Sequence, residues 1–174
     1  RVFSVSTVVA GLAIPISTTT APTLLLWNPE DSGVRVNLLR YSIAYVSGTS
    51  VAGAISMQTL TGVSRTAVNS QITTFANSES LNALVGQGGA SHVRASAAGT
   101  NAIVASTRIT SPMFTITALI ATTAMNPVST SYDFDGLLQL GPSTAVFPVG
   151  SLASGALYMQ TLYWEEIPLL DVDV

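Results

Sequence analysis

The stretch "VRVNLLRYSIAY", residues 34–45, decides how this chain folds. Val34, Val36 and Leu38 alternate with Arg35 and Asn37, so an extended segment has one apolar and one polar face. Successive side chains leave a strand on opposite sides, and a half-buried β-strand therefore shows this period of two. After Leu38 the phase changes, and Leu39, Tyr41, Ile43 and Tyr45 carry the apolar positions. A one-residue slip of phase inside a strand marks a β-bulge, or a bend that carries the strand between sheets. Turn chemistry brackets the segment, with "NPEDSG" (28–33) before it and "SGTSVAG" (47–53) after it.

Working outward, strand patterns continue and no long stretch shows a helical period. Residues 23–27 are an apolar run that ends at the first turn. Further strands are expected at 102–104, 113–121, 137–140 and 156–167, the last closed by Pro168. Residues 113–121 are apolar on both faces (Phe114, Ile116 and Ile120 against Met113 and Leu119), as in a central strand. Residues 66–100 are rich in Ser, Ala, Asn and Gly, with "VGQGGASH" (85–92) at their centre. A long irregular connection is expected there, with one short helical or irregular piece near 78–84. The expected fold is all-β: a single β-sandwich or jelly-roll domain over 21–174, with an extended N-terminal arm or strand over 1–20. A jelly roll is the specific expectation, and an immunoglobulin-like sandwich fits the same pattern.

Charged residues are 9% of the chain, where an ordinary soluble domain carries roughly a quarter. All six basic residues are arginine and the net charge is −3, so no basic face for a nucleic-acid partner is expected. Mean hydropathy is +0.50. Polar residues nevertheless interrupt each apolar run before the ~18 residues of a membrane span, and no membrane partner is expected. The chain has no cysteine, which removes disulfides, thiolate metal sites and thiol nucleophiles. A surface so poor in charge lacks the usual protection against association. It reflects either a host's compositional habit or coverage by copies of itself or a larger assembly; the second is the expectation.

Glu165 and Glu166, adjacent in "LYMQTLYWEEIP" (157–168), invite an enzymatic reading. Strand geometry puts Glu165 on the side of Leu157, Met159, Thr161 and Tyr163, and Glu166 on the side of Tyr158, Gln160, Leu162 and Trp164. A carboxylate pair would need both across one cleft, about 5–9.5 Å apart. Both are expected to be structural, solvated at a strand end or paired with an arginine. "DFDG" (133–136) and "NPED" (28–31) lack the further acids of a calcium loop and read as turns. His92 is the single histidine, and "GGASH" is no nucleophile elbow, so an exposed loop residue is expected. "GQGG" (86–89) lacks the lysine of a P-loop and the spacing of a dinucleotide site. The chain is therefore not expected to be an enzyme or to hold a cofactor or metal. Arg35, Arg40, Arg94 and Arg108 are expected either on ordinary surface or at an assembly interface, where arginine is favoured, together with Val2, Phe3 and Val5 of the arm. Trp27, Tyr41, Tyr45, Phe114, Phe134, Phe147 and Trp164 are expected in core or interface packing rather than on a sugar platform.

Five segments, in order, resemble small structural proteins of tailed-bacteriophage virions. They are "LLLWNPEDSGVRVNLLRYSIAYVSGT" (24–49), "LNALVGQGGASHVRASAAGTNAI" (81–103), "RITSPMF" (108–114), "DFDGLLQLGPSTAVF" (133–147) and "TLYWEEIP" (161–168). The shared pattern runs W-N-P, S-G, L-L-R-x-S, Y-V-S-G-T, then a late W-E-E-[IV]-P; "LGPS" (140–143) stands where the pattern has Pro-Gly. The resemblance implies a β-sandwich subunit, a homo-oligomer and specifically a trimer, attached to a virion assembled in the cytoplasm of a bacterial host. It implies a decoration (cement) protein on the capsid surface, with the phage major capsid protein as partner and residues 1–20 adding a strand to a neighbour. The alternative is a tail-fibre or receptor-binding module whose loops read host-surface glycans.

Overall fold

The computed structural model describes residues 1–61, 72–78, 80–82, 89–103, 114–119 and 129–169, with only the backbone path of Thr73 and residues 114–119. These residues contain no helix. Their strands are β1 (Val2–Ser6), β2 (Leu25–Asn28), β3 (Val34–Ser47), β4 (Gly53–Thr61), β5 (Ile72–Thr74), β6 (Leu81–Asn82), β7 (Arg94–Ser96), β8 (Ala102–Ile103), β9 (Phe114–Leu119), β10 (Ser129–Asp133), β11 (Gln139–Leu140), β12 (Thr144–Gly150) and β13 (Leu157–Pro168). The first sheet has the order β10-β3-β13-β1-β6, with β11 also on β3. The second has the order β7-β2-β12-β4-β9, and β5 pairs with β8. All the strand pairings are antiparallel.

The phase slip in β3 is a bulge. Tyr163 pairs with Arg40 and Trp164 with Leu38, which leaves Leu39 as the extra residue. Val34, Val36 and Leu38 are buried before it, Tyr41 and Ile43 after it. One strand thereby turns both halves toward the same core without leaving its sheet. The backbone at the bulge is used: Phe134 N–H donates to the Leu39 carbonyl (2.9 Å) and Leu38 N–H to the Leu138 carbonyl (3.0 Å). A second step, between Leu157↔Ser47 and Tyr158↔Tyr45, leaves Val46 without a partner in the ladder.

The main cluster of buried side chains draws on both sheets: Phe3, Val36, Leu38, Tyr41, Leu162 and Trp164 from the first, and Leu26, Ile55, Met57 and Val146 from the second. A further cluster joins Leu25, Trp27, Leu60 and Phe147 of the second sheet to Ile72 of β5 and Ile103 of β8. The second sheet is thus covered on both faces, and all four residues of β2 are buried. This is why residues 23–27 show an unbroken apolar run instead of alternation. Trp27, Tyr41, Phe134, Phe147 and Trp164 are buried and Tyr45 packs against the main cluster, as expected of core aromatics.

Of the arm or strand expected over residues 1–20, Val2–Ser6 form a strand. β1 lies between β13 and β6 in the chain's own sheet, with Phe3 opposite Trp164 and Asn82. Phe3 is fully buried and stacks on Trp164 at 6.0 Å between ring centroids. Thr7 fastens the exit of β1: its N–H donates to the Gln160 carbonyl, and Gln160 N–H donates to the Thr7 hydroxyl, each at 2.9 Å. Leu12 then bridges Tyr158, and Ile16 bridges Gly150. Phe3 and Val5 supply an apolar face that this sheet itself takes up. Within the stretch 78–84, expected to be helical or irregular, Leu81–Asn82 is a strand against β1 and Ser78 bridges Ala95; 79, 83 and 84 lie outside the described residues.

Two stability predictions follow from this packing. Phe3→Ala is expected to lower the unfolding free energy by about 3–5 kcal/mol; a loss below about 1 kcal/mol in urea titration, within the range of surface substitutions, would contradict the core placement. Ser143, at the turn where the resembling pattern has glycine, holds φ = +65°. L-residues are strained there, so Ser143→Gly is expected to gain about 0.5–1 kcal/mol in the same titration.

Candidate functional site

β13 places Glu165 and Glu166 on opposite faces, with Glu165 half-buried and Glu166 5% exposed. They share no cleft. Among the described residues it is the segment 91–93, not an arginine, that satisfies Glu166. Ser91 Oγ donates to Glu166 Oε1, while His92 N–H and His92 Nδ1 each lie 3.1 Å from Oε2. Val93 N–H and the Trp164 indole N–H approach Oε1 at 3.4 Å. The Glu166 backbone N–H donates to the Arg1 carbonyl (2.8 Å). Burial alone would push this carboxyl upward. The hydrogen bonds from Ser91, the His92 amide, the His92 ring and Trp164 outweigh it and hold the group below its ordinary value.

Serine, histidine and glutamate meet here, but not as a nucleophilic relay. A serine nucleophile hands its proton to an imidazole that a carboxylate orients. Ser91 Oγ instead bonds the carboxylate directly, lies 2.8 Å from the Val93 carbonyl and accepts Val93 N–H at 3.0 Å. The arrangement is a knot that ties residues 91–93 to β13 across more than seventy positions of sequence. His92 remains 59% exposed at its side chain, as expected of a loop histidine. With Nδ1 turned to Glu166, its Nε2 faces outward.

Two clefts meet at His92. One, of about 540 Å³, is lined by Asn77, Ser78, Ser80, Ser91, His92 and Arg94 among others. The other, of about 440 Å³, is lined by Arg1, Val34, His92, Glu166 and Pro168. Gly89 forms a wall of the first, and a Cβ built there would lie 2.6 Å from Arg1 Nη1, so the guanidinium of Arg1 crosses that wall. The Arg94 guanidinium sits over the Trp27 ring, 5.1 Å from its centroid.

The remaining candidates are dispersed. Arg40 makes a two-pronged pair with Asp133 (Nη2–Oδ2 3.1 Å) on the outer face of the first sheet. That pair fixes one carboxylate of "DFDG"; the other, Asp135, occupies a turn at φ = +48°, so the motif is a turn as expected. In "NPED", the buried Asn28 carboxamide donates to the carbonyls of Val34 (2.9 Å) and Leu140 (3.1 Å), which again is turn architecture. Arg35 is exposed on β3 and Val2 is half-buried on β1. Phe3 and Val5 belong to the core, not to a contact surface, and Arg108 lies outside the described residues. Sequence reasoning met Ser91 only inside "GGASH", where it rejected a nucleophile elbow, and missed it as a partner of Glu166, because nothing local distinguishes it from the other serines of the middle segment. No protein-family model, curated protein or solved structure matches the chain.

The knot carries a pH signature. The folded pKa of Glu166 lies below the ordinary value of 4.5, so its contribution is complete above pH 4.5 and fades as the pH falls through the folded value. Glu166→Gln, which strands several donors, is expected to lose about 2–3 kcal/mol at pH 7. It is also expected to flatten the acid limb of the stability curve. Unfolding titrations of both proteins from pH 3 to 7 check this, and parallel curves would refute it.

Proposed function

We propose that this chain is a non-enzymatic structural subunit of a virion, a decoration protein that stabilises a capsid lattice through oligomeric contacts. The observation that carries the reading is an uncharged, apolar end of the molecule. Val8, Val9, Ile16, Val46, Val51 and Leu152 are exposed, Val9 at 82%. Adjacent loops bring them to one end. Gly11 packs on Val46 and on the backbone of Leu157 and Tyr158. Ser154 Oγ donates to the Thr49 carbonyl, and Ser151 N–H donates to the Ala54 carbonyl. Ile16 bridges Gly150. No Asp, Glu, Arg or Lys occurs within residues 2–29, 41–64 or 137–164. An exposed apolar patch of this kind favours association, and no like charge opposes contact between copies.

Strand order supports the reading. The series β10-β3-β13-β1 and β2-β12-β4-β9 favours a jelly roll, an architecture that recurs in viral capsid and lectin domains. This is analogy at the level of fold. The resemblance to virion proteins adds a trimer on the capsid surface, with the major capsid protein as partner. Several residues that carry it do fold-level work: Asn28 fastens a turn, Gly33 holds φ = +66°, and Trp164 packs in the core. They therefore speak to architecture more than to the contact itself.

Deleting residues 1–20 would remove Phe3 and Val5 from the core, so point changes on the apolar end are the sharper test. Val9→Asp combined with Leu152→Asp is expected to convert a trimer to a monomer in light scattering, to abolish saturable binding to empty capsids and to leave the circular dichroism unchanged. A folded double variant that keeps its mass and its capsid binding overturns the reading. A copy number in the virion far below the capsid lattice would favour the fibre or receptor-binding alternative instead.

A further inference from the structure

The larger cleft beside His92 gathers chemistry that the Glu166 knot leaves unused. Part of its lining is committed to the fold: Ser78 Oγ accepts Ala97 N–H at 2.8 Å, and Ser91 holds Glu166. The side chains of Asn77 and Ser80, His92 Nε2 and the Arg94 guanidinium make no hydrogen bond or ion pair among the described residues. Arg94 is held in place by the Trp27 ring beneath it, and Arg1 lies along the Gly89 wall. Arg94 and His92 thus line one cavity in a chain of net charge −3, and Arg1 lines the neighbouring cleft behind Gly89. The described lining contains no carboxylate; Glu79, between Ser78 and Ser80, lies outside the described residues. Glu166 lines the neighbouring cleft, with its oxygens held by Ser91 and His92.

We propose that this cleft binds an acidic saccharide, with its carboxylate on Arg94, one ring hydroxyl donating to His92 Nε2 and its other hydroxyls on Asn77 and Ser80. A guanidinium fork matches a carboxylate in two parallel hydrogen bonds, and Trp27 restrains Arg94 before any ligand arrives. Glu166 sets the His92 ring so that Nε2 is presented outward, the part a supporting carboxylate plays for an imidazole elsewhere. The volume of about 540 Å³ lies within the ~300–1,000 Å³ usual for small-ligand sites, but the lining is polar where an aliphatic or aromatic ligand would require apolar walls. A hydroxyl-rich anion fits that lining. The inference stands apart from the capsid reading, since it concerns other residues and is tested on purified protein alone.

The test is a titration of the full chain with N-acetylneuraminic, glucuronic and galacturonic acids, with galactose as the neutral control, followed by NMR of the His92 ring and the Arg94 side chain. At least one acid is expected to saturate both signals at concentrations up to about 10 mM, while galactose does not. His92→Asn and Arg94→Ala are each expected to weaken binding about tenfold or more. Arg94 packs on Trp27, so its variant is scored only alongside a melting curve; the exposed His92 provides the independent arm. Failure of all three acids to bind, equal binding of galactose, or unchanged affinity in both variants overturns the proposal.

Discussion

β13 lies between β3 and β1, and every residue from Leu157 to Pro168 pairs with β3. A strand flanked on both sides must satisfy two registers at once, and an error of one residue would reverse which side chains are buried. Trp164 and Glu166 are the residues for which that reversal costs most. One is a large indole in the core, the other a carboxylate that survives burial only because donors surround it. The bulge at Leu39 makes the double requirement compatible with β3. Without the extra residue, either Val34, Val36 and Leu38 or Tyr41 and Ile43 would face away from the core. The bulge also offers the carbonyl that receives Phe134, so the turn leading to β11 depends on the same irregularity.

That constraint explains how much of the fold could be read from residues alone. The bulge was legible because a period of two is rigid, and a change of phase has few physical causes. The separation of Glu165 and Glu166 was legible for the same reason. The role of residues 1–20 was not, since an apolar alternation such as Phe3 and Val5 is identical whether a strand joins its own sheet or a neighbour's. Nor were β5 and β6, which are two or three residues long and owe their pairing to partners distant in sequence, whereas β8 falls within the strand expected at 102–104. The Glu166–His92 contact was invisible for a related reason. It joins residues 74 positions apart, and no local pattern marks either end.

The low charge of the chain takes on a spatial meaning in the structure. Outside the described acids and arginines, the uncharged segments 2–29, 41–64 and 137–164 contribute β1, β2, β4, β12 and most of β13, together with the loops that expose Val9, Val46 and Leu152. Arg1, His92, Arg94 and Glu166 gather at the clefts where β13 meets the segment 89–95, while Arg40 and Asp133 pair with each other midway along β3. Composition thus varies along the strands rather than across a single face, and one end of the ladder differs chemically from the other.

The antiparallel ladder fixes how far apart those two ends lie. Tyr158 stands at the apolar loops and Glu166 beneath the basic cleft, eight residues on along β13, a separation of about 26 Å at ~3.3 Å per residue. A subunit seated on a lattice by its apolar end would hold the cleft on the side facing away from that lattice. The two proposals are then complementary in geometry while remaining independent in chemistry. Attachment would draw on uncharged apolar surface that excludes water, and recognition on fixed donors that water can reach. Each half would also respond differently to salt: screening weakens the contact of Arg94 with an anion and leaves apolar association intact or strengthened.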